Sequence, residues 1–411
     1  MKILTFSGYY TPEIAASMYL TEDILEGLAH EKHEINLYVP NPCRGIDKET
    51  AKLYREKKEE KKYGGYLHIH RISMFKEGRN PVFRAIRYFL LTLAFVWKGI
   101  HTSADIIFVQ STPPTQGIMA KLVKRWKKIP IVYNLQDIFP DSLANAGMTK
   151  RGSLLWKIGR KIENKTYAAA DRIIVISEDF KKNILAKGVP EEKIEVIYNW
   201  GDTEKIYKVN REDNILFDKY GLDRSLFYIS YSGNLGHTQN LDMLLSVAQK
   251  MKTKMPDLRF VLIGDGAEKE RLATRIQKEQ IENVILLPFQ DYCDISHVFS
   301  LGNVGLIISK KGVGSNSVPS KTYGYMAAER PILASFDQDS QLSKLIREIG
   351  CGAVADGDDE DALIDAIAWI REYPQIGIAG KTYLMENLTK EKCVAKYVKT
   401  LERVFEESKK S

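Results

Sequence analysis

The chain has 411 residues, 44% of them hydrophobic and 27% charged, which is enough for two domains of ordinary size and typical of a soluble globular protein. Its four cysteines, Cys43, Cys293, Cys351 and Cys393, lie far apart with no Cys-x-x-Cys pair; they argue against a zinc site or disulfide framework and fit a reducing cytoplasm. The net charge of +7 is uneven, with 32 Lys/Arg against 22 Asp/Glu in residues 1–200 and 28 against 31 in the rest, and without a recognisable nucleic-acid-binding motif the basic half points away from nucleic acid.

Residues 1–7 read as a first strand rather than a signal peptide, because no basic region precedes an apolar block and a cleavage site. Further strands are predicted at 34–39, 68–72, 105–110, 131–135, 172–176 and 194–198. Helices fit between them, for example at 17–31 and 115–126. The charge-rich segment 49–62 reads as a mobile loop or a short exposed helix. The pattern restarts near Leu226, with strands at 227–232, 259–264, 284–287, 304–308 and 332–334. Helices are predicted at 241–252, 269–279, 295–301 and 321–328, and a long polar one at 390–408. Alternating strands and helices mean parallel sheets covered on both faces. The expectation is an α/β protein of two such domains, with ligands beyond the carboxyl ends of the strands. A polar stretch at 200–214 marks the boundary.

The basic excess is densest over residues 79–128, where nine Lys/Arg face one acid, Asp105. Inside it lies Tyr88-Phe-Leu-Leu-Thr-Leu-Ala-Phe-Val-Trp97, the most apolar window of the chain. It is too short to span a bilayer, which needs roughly 20 residues. Phe89 and Trp97, flanked by Arg84, Arg87 and Lys98, suit a helix lying in the interface of an anionic membrane. The plainer reading is a buried helix beside a solvated basic face.

Five stretches at strand ends could carry chemistry. In Gly8-Tyr-Tyr-Thr-Pro-Glu-Ile-Ala-Ala-Ser17, small residues before a helix would let a ligand approach its N-terminus; a plain strand–helix connection would look much the same. Leu135-Gln-Asp-Ile-Phe-Pro-Asp-Ser142 runs a strand into polar groups, and Asp137 either contacts sugar hydroxyls or an acceptor, or caps the next turn. In Ser232-Gly-Asn-Leu-Gly-His-Thr-Gln-Asn240, Gly233 and Gly236 free the backbone for positive φ and ligand contact. Gly264-Asp-Gly266 is a further turn. Neither carries a Walker lysine or a Gly-x-Gly-x-x-Gly fingerprint, which disfavours a kinase or dehydrogenase. In Ser317-Val-Pro-Ser-Lys-Thr-Tyr-Gly-Tyr-Met-Ala-Ala-Glu-Arg-Pro331, Ser320 is expected to cap a helix that opens with Lys321. A cation beside free N–H groups would seat a phosphate; the alternative is an ordinary surface lysine.

Taken in order, these stretches resemble the retaining glycosyltransferases of family 4. The resemblance is carried by Tyr9-Tyr-Thr-Pro-Glu13, Ser111-Thr-Pro-Pro114, Gln136-Asp-Ile-Phe-Pro-Asp-Ser142, Ile197-Tyr-Asn-Trp200, Ser232 to Gln239, Val318-Pro-Ser-Lys321 with Met326-Ala-Ala328, and Asp339-Ser-Gln-Leu342. It covers nearly the whole chain and is strongest to the bacterial polysaccharide branch that includes N-acetyl-L-fucosamine transferases. It implies the GT-B fold, in which two Rossmann-like parallel-sheet domains face each other across a cleft. Residues 1–205 would bind the acceptor and 206–385 the nucleotide sugar, with the helix of 386–411 returning to the first domain.

The implied reaction moves a sugar, N-acetylated or deoxy, with retention from a UDP-sugar to a polyprenyl-diphosphate-linked glycan. It would serve capsule, O-antigen or exopolysaccharide synthesis at the cytoplasmic face of the plasma membrane, with no metal or other cofactor. Lys321 and Asp137 would be catalytic. The donor would meet Gly233, Asn234, Gly236, His237, Gln239, Gly264, Pro288, Phe289, Pro319, Ser320, Tyr323 and Ser340. The acceptor would meet Tyr10, Glu13, Ala16, Ser17 and Gln136.

The chain also departs from the family. Asn234 and Gln239 replace an Arg and a Lys that often hold the diphosphate, Asn316 and Gly324 replace paired glutamates, and Glu329 replaces a glycine. A non-hydrolysing UDP-sugar 2-epimerase, a dinucleotide oxidoreductase and a non-catalytic GT-B scaffold are the competing readings.

Overall fold

The computed structural model describes every residue except 14–17, 44, 76–80, 146, 148, 315–318 and 411, together with the side chains of 81, 82 and 85. The chain divides into two compact units. Unit 1 comprises Met1–Ala144, Thr149–Tyr198 and Glu391–Ser411, and unit 2 comprises Asn145–Met148 and Asn199–Lys390.

Unit 1 is built on eight strands: β1 (Lys2–Phe6), β2 (Glu34–Pro40), β3 (Glu59–Lys62), β4 (Leu67–Ile72), β5 (Ile106–Gln110), β6 (Ile131–Leu135), β7 (Arg172–Val175) and β8 (Ile194–Val196). They lie in the order β3-β4-β2-β1-β5-β6-β7-β8. Chain order reverses beside β1, whose Ile3 is in register with Ile35 on one side and Ile106 on the other. The inner strands are runs of Ile, Val and Leu because helices cover both faces. Around them pack α1 (Met18–His30), α2 (Lys48–Glu56), α3 (Pro81–His101), α4 (Gln116–Lys127), α5 (Asp141–Asn145), α6 (Leu154–Ala169) and α7 (Glu178–Ala186).

The segment 49–62 corrects the sequence reading. It contains the expected exposed helix, α2, which buries none of its residues. It then adds β3, which pairs antiparallel with β4 from Glu59–His70 to Lys62–Leu67. Four consecutive charges read as loop in sequence, but a sheet edge tolerates them because they deter pairing with another chain.

Unit 2 holds a six-stranded, wholly parallel sheet: β9 (Phe227–Asn234), β10 (Leu258–Asp265), β11 (Val284–Leu287), β12 (Val304–Ile308), β13 (Ile332–Ser335) and β14 (Gly352–Ala355). The order is β11-β10-β9-β12-β13-β14, so the direction of winding reverses between β9 and β12. Its helices are α8 (Ile215–Tyr220), α9 (Leu241–Lys254), α10 (Lys269–Lys278), α11 (Ile295–Ser300), α12 (Lys321–Ala327), α13 (Gln341–Ile349), α14 (Glu360–Arg371) and α15 (Gly377–Asn387). Ile229, Leu244, Leu262, Leu306, Leu333 and Ile367 form part of one buried cluster that joins the sheet to α9 and α14. The final helix, α16 (Lys390–Lys410), packs into unit 1. Tyr397 donates to Asn134 Oδ1 at 3.3 Å, and His33 Nε2 lies 3.1 Å from Glu402.

Candidate active site

Lys321 and the Gly233–Gln239 turn gather at the carboxyl end of β9, beside the reversal in strand order where open α/β sheets bind ligands. The turn that follows β9 is pinned by its own neighbours. Leu235 N–H donates to Asp265 O at 2.8 Å, Glu268 N–H to Leu235 O at 2.9 Å, and Lys310 N–H to Thr238 O at 2.8 Å. Gln239 Oε1 accepts from Gly236 N–H at 3.1 Å, so Gln239 is an internal strut of the turn. Asn234 and His237 are exposed, and His237 Nδ1 lies 2.7 Å from Glu268 Oε1.

Lys321 reaches into this turn from the start of α12. Its Nζ lies 3.6 Å from the centroid of the Tyr231 ring. The Tyr231 hydroxyl in turn donates to Asn234 O at 2.7 Å. Among the described residues, no carboxylate comes within salt-bridge distance of Lys321. The residue keeps part of its surface exposed, yet protein crowds the ammonium closely enough that desolvation lowers its pKa to about 7. A cation–π contact offsets only part of that penalty, because it is worth about 0.5–2 kcal/mol. The result is an ammonium with no counter-ion whose charge is disfavoured by desolvation, and an arriving anion would stabilise that charge.

Packing sets the position of α12, not the capping that the sequence suggested. Ser320 has helical φ and ψ and makes no side-chain cap bond. Instead, the buried face of the helix is locked to the sheet. The Tyr325 hydroxyl donates to Ser230 O at 2.7 Å, and its ring meets Phe299 edge-on at 5.1 Å. Gly324 provides the room, since a Cβ there would lie 2.4 Å from the Phe299 ring. A glutamate therefore cannot occupy position 324 in this packing. Asn316, the other position where the family carries a glutamate, lies outside the described residues. The loop before it is tied down by Asp337, whose carboxylate oxygens accept from Gly312 N–H and Gly314 N–H at 2.7 Å each.

Ser340 and Gly264 have partners within the fold. Ser340 is buried and caps α13, accepting from Ser343 N–H at 3.2 Å and donating to Asp337 O at 2.7 Å. Gly264 pairs with Gly233 in the β9–β10 register, which is a strand position. Tyr323 is buried, Pro319 half-buried, and Ser320, Pro288 and Phe289 are exposed. Tyr231, the platform under Lys321, escaped the sequence reading because it looks like any strand aromatic. Only its place two residues before Gly233 signals it.

Gly233 itself has φ +139°, and a Cβ there would lie 3.2 Å from Lys321 Nζ. Gly233→Ala therefore strains the backbone and displaces the ammonium. The expected loss is on the order of 1 kcal/mol of stability, read by thermal denaturation. An unchanged melting temperature would contradict this reading of the turn.

In unit 1, the buried Ser111 hydroxyl accepts from the N–H groups of Gln136 and Asp137 at 3.0 and 2.9 Å, fixing the loop after β6. The Asp137 carboxylate is exposed on one side, and desolvation on the other raises its pKa above the ordinary carboxylate value. Its hydrogen bonds go to the Ser142 side chain and the Ile138 backbone, so it caps its own turn. Gln136 Nε2 donates to Asn134 Oδ1 at 3.2 Å. Tyr10 and Glu13 do not present their side chains as expected. Both are buried, and Glu13 Oε1 accepts from Cys43 N–H at 2.8 Å. Ala16 and Ser17 lie outside the described residues.

Helix α3 is amphipathic with two apolar faces. Leu91 and Phe95 are buried, whereas Phe83, Ile86, Phe89, Leu90, Leu93 and Trp97 are exposed. Arg84 and Lys98 are exposed beside them. Arg87 is a correction, because it is only 2% exposed and donates through Nε to Phe75 O at 2.9 Å. It falls four residues before Leu91, on the buried face. No described helix is long and apolar enough to cross a membrane. Among the described residues, no three of His, Cys, Asp and Glu are grouped to hold a metal ion.

Comparison with known proteins gives this geometry a family. Residues 19–205 match Glycosyltransferase Family 4, and residues 212–376 match Glycosyl transferases group 1. The chain belongs to the family 4 glycosyltransferases, and its two units are those of the GT-B fold. WbjE of Pseudomonas aeruginosa, named as a glycosyltransferase, is 26% identical over 338 residues, covering 82% of each chain. WcaI of Escherichia coli K12, named for colanic acid biosynthesis, is 22% identical over 97% of this chain and 99% of its own. The crystal structure of Anabaena HepE in complex with UDP superposes with a TM-score of 0.71 at 15% identity, covering 98% of this chain and all of that one. These matches favour a transferase over an epimerase.

Proposed function

We propose that the protein transfers a sugar from a UDP-sugar to a lipid-linked glycan, with retention at the anomeric carbon, in the assembly of a bacterial surface polysaccharide. The observation that carries this reading is Lys321, a desolvated cation without a counter-ion at the carboxyl end of β9. As the bond from the anomeric carbon to the diphosphate breaks, the electron pair stays on the diphosphate. A preorganised cation stabilises that growing charge. The acceptor hydroxyl attacks the face the diphosphate leaves and passes its proton to the departing diphosphate oxygen, so no protein nucleophile is required. The crystal structure of Anabaena HepE in complex with UDP, and the names of WbjE and WcaI, support the donor class and the pathway. A Campylobacter jejuni relative named for a diphospho-undecaprenol acceptor, 24% identical over 53% of this chain, supports a lipid-linked acceptor. The exposed apolar stripe of α3, flanked by Arg84 and Lys98, supports peripheral attachment to an anionic membrane at the cytoplasmic face.

The lysine gives this reading a pH signature. With no anion bound, Lys321 titrates at about 7, and a bound diphosphate raises that value. Below pH 7 the site is already protonated and affinity for UDP is flat with respect to this group. Above pH 7 binding takes up a proton, so affinity falls with rising pH, approaching tenfold per unit. The terminal phosphate of UDP ionises near pH 6 and so does not mask the slope between pH 7 and 9. Calorimetric titration of UDP across that range should show the fall. A flat profile would remove Lys321 from the diphosphate.

A further inference from the structure

A buried carboxylate grips the loop that leaves β12. Asp337, on the turn after β13, is 8% exposed. Its Oδ1 accepts from Gly312 N–H and its Oδ2 from Gly314 N–H, both at 2.7 Å. Among the described residues, no Lys, Arg or His comes within salt-bridge distance of it. Burying a carboxylate without a counter-ion is costly, and charge-assisted bonds to two N–H groups offset that cost. The glycines belong to the same arrangement. Gly312 has φ +82°. A Cβ on Gly314 would lie 2.6 Å from the Phe336 ring and 2.9 Å from Asp337 Oδ2. Neither position takes a side chain without strain, so residues 312, 314 and 337 are specified together.

The grip falls beside the candidate donor groups. Lys310 N–H donates to Thr238 O at 2.8 Å, which ties the start of the loop to the Gly233–Gln239 turn. Lys311 N–H donates to Asp358 Oδ2 at 3.3 Å, on the turn after β14. Residues 309–314 are thus fixed against the same turn whose Gly233 meets Lys321. Lys321 depends on none of these bonds, because α12 is locked through Tyr325 and Phe299. The cation and the loop are therefore held separately. A diphosphate on Lys321 carries its sugar on the far phosphate, and the sugar must rest on a neighbouring element. The turn that bears Asp337 is also secured without the carboxylate. Asp337 O accepts from the Ser340 and Ser343 hydroxyls at 2.7 and 2.8 Å.

We propose that Asp337 is a positioning residue for the transferred sugar. Its carboxylate fixes residues 309–314 in the shape that receives the sugar of a nucleoside diphosphate sugar. It acts through Gly312 and Gly314 and does not touch the donor. The proposal deepens the donor-site reading built on Lys321 and rests on it.

The test is calorimetric titration of the full chain with UDP and with UDP-glucose, UDP-N-acetylglucosamine and UDP-N-acetylgalactosamine, the tightest of the three serving as donor probe. In Asp337→Asn the side-chain amide turns its own N–H groups toward one of the glycine N–H groups. That variant should bind UDP within about twofold of wild type and the donor probe at least about fivefold more weakly, the loss expected from one misplaced hydrogen bond. Gly314→Ala displaces the loop without a change of charge and should give the same split, so it carries the test if Asp337→Asn fails to fold. The double variant should be little worse than the weaker single, because both changes break one contact. A role in stability alone would lower the melting temperature and leave the ratio of probe to UDP affinity as in wild type. Equal weakening of UDP and probe, or no weakening of either, overturns the proposal while the donor-site reading stands. If wild type does not bind UDP, or Lys321→Ala binds it as tightly as wild type, the donor-site reading fails and the proposal with it.

Discussion

Lys321→Ala lowers turnover about 100- to 1,000-fold and leaves the melting temperature unchanged or raised. The size follows from the role. Removing one preorganised group that stabilises charge developing in a transition state costs this much where water is excluded. In this chain few groups could compensate, because Gln239 is spent inside its own turn and Asn234 is neutral. His237 is already paired with Glu268. The stability half of the prediction follows from the desolvation that pulls the ammonium to about 7. A group held at a cost in the unliganded protein is not one the fold depends on. Lys321→Arg should recover little, since a planar guanidinium over Tyr231 at 3.6 Å cannot place its charge where the compact ammonium does. Steady-state assays of sugar transfer with thermal melts of the same samples check both halves. Near-wild-type transfer by the alanine variant would remove the lysine from the mechanism.

Gly324→Glu should destabilise unit 2 severely, by about 3 kcal/mol or more. The Cβ alone would lie 2.4 Å from the Phe299 ring, and that ring is held edge-on by Tyr325, whose hydroxyl is bonded to Ser230 O. Overpacking a rigid core costs about 1–3 kcal/mol, and burying an unpaired carboxylate adds to it, for a total of about 3 kcal/mol or more. The double variant Phe299→Ala/Gly324→Glu should regain part of the loss, because the ring is the obstacle. Chemical denaturation of the two variants decides. If the single variant is as stable as wild type, the side chain of 324 does not meet Phe299. Restoring the carboxylate that the family resemblance implies at this position is thus a change of two residues, and no one-residue reading of the motif reveals it.

The parallel strands were legible because buried parallel strands are unbroken apolar runs. β6, β11 and β12 fall at the residues that hydropathy alone selects. β3 was hidden because its stabilisation comes from its partner β4, not from its own charged residues. β14 was hidden because Gly352–Ala355 is too short to show a period. At the site, Gly233, Lys321 and the turn between them were legible from glycine placement and from a lysine in an otherwise apolar motif. Ser340 and Asp137 show what the sequence leaves open. A Ser or Asp before a helix looks alike whether it faces a ligand or caps a turn, and Ser340 before α13 and Asp137 at its own turn both make capping bonds. Arg87 shows the limit for charge. An arginine in a basic window counts as surface until the helical phase places it with Leu91 and Phe95, both buried.

The measurement closest to the central claim is a calorimetric titration of UDP into the full chain and into Lys321→Ala at pH 7. The account predicts one site in the wild type and at least tenfold weaker binding in the variant. Equal affinity in the two proteins, or no binding in either, would contradict it.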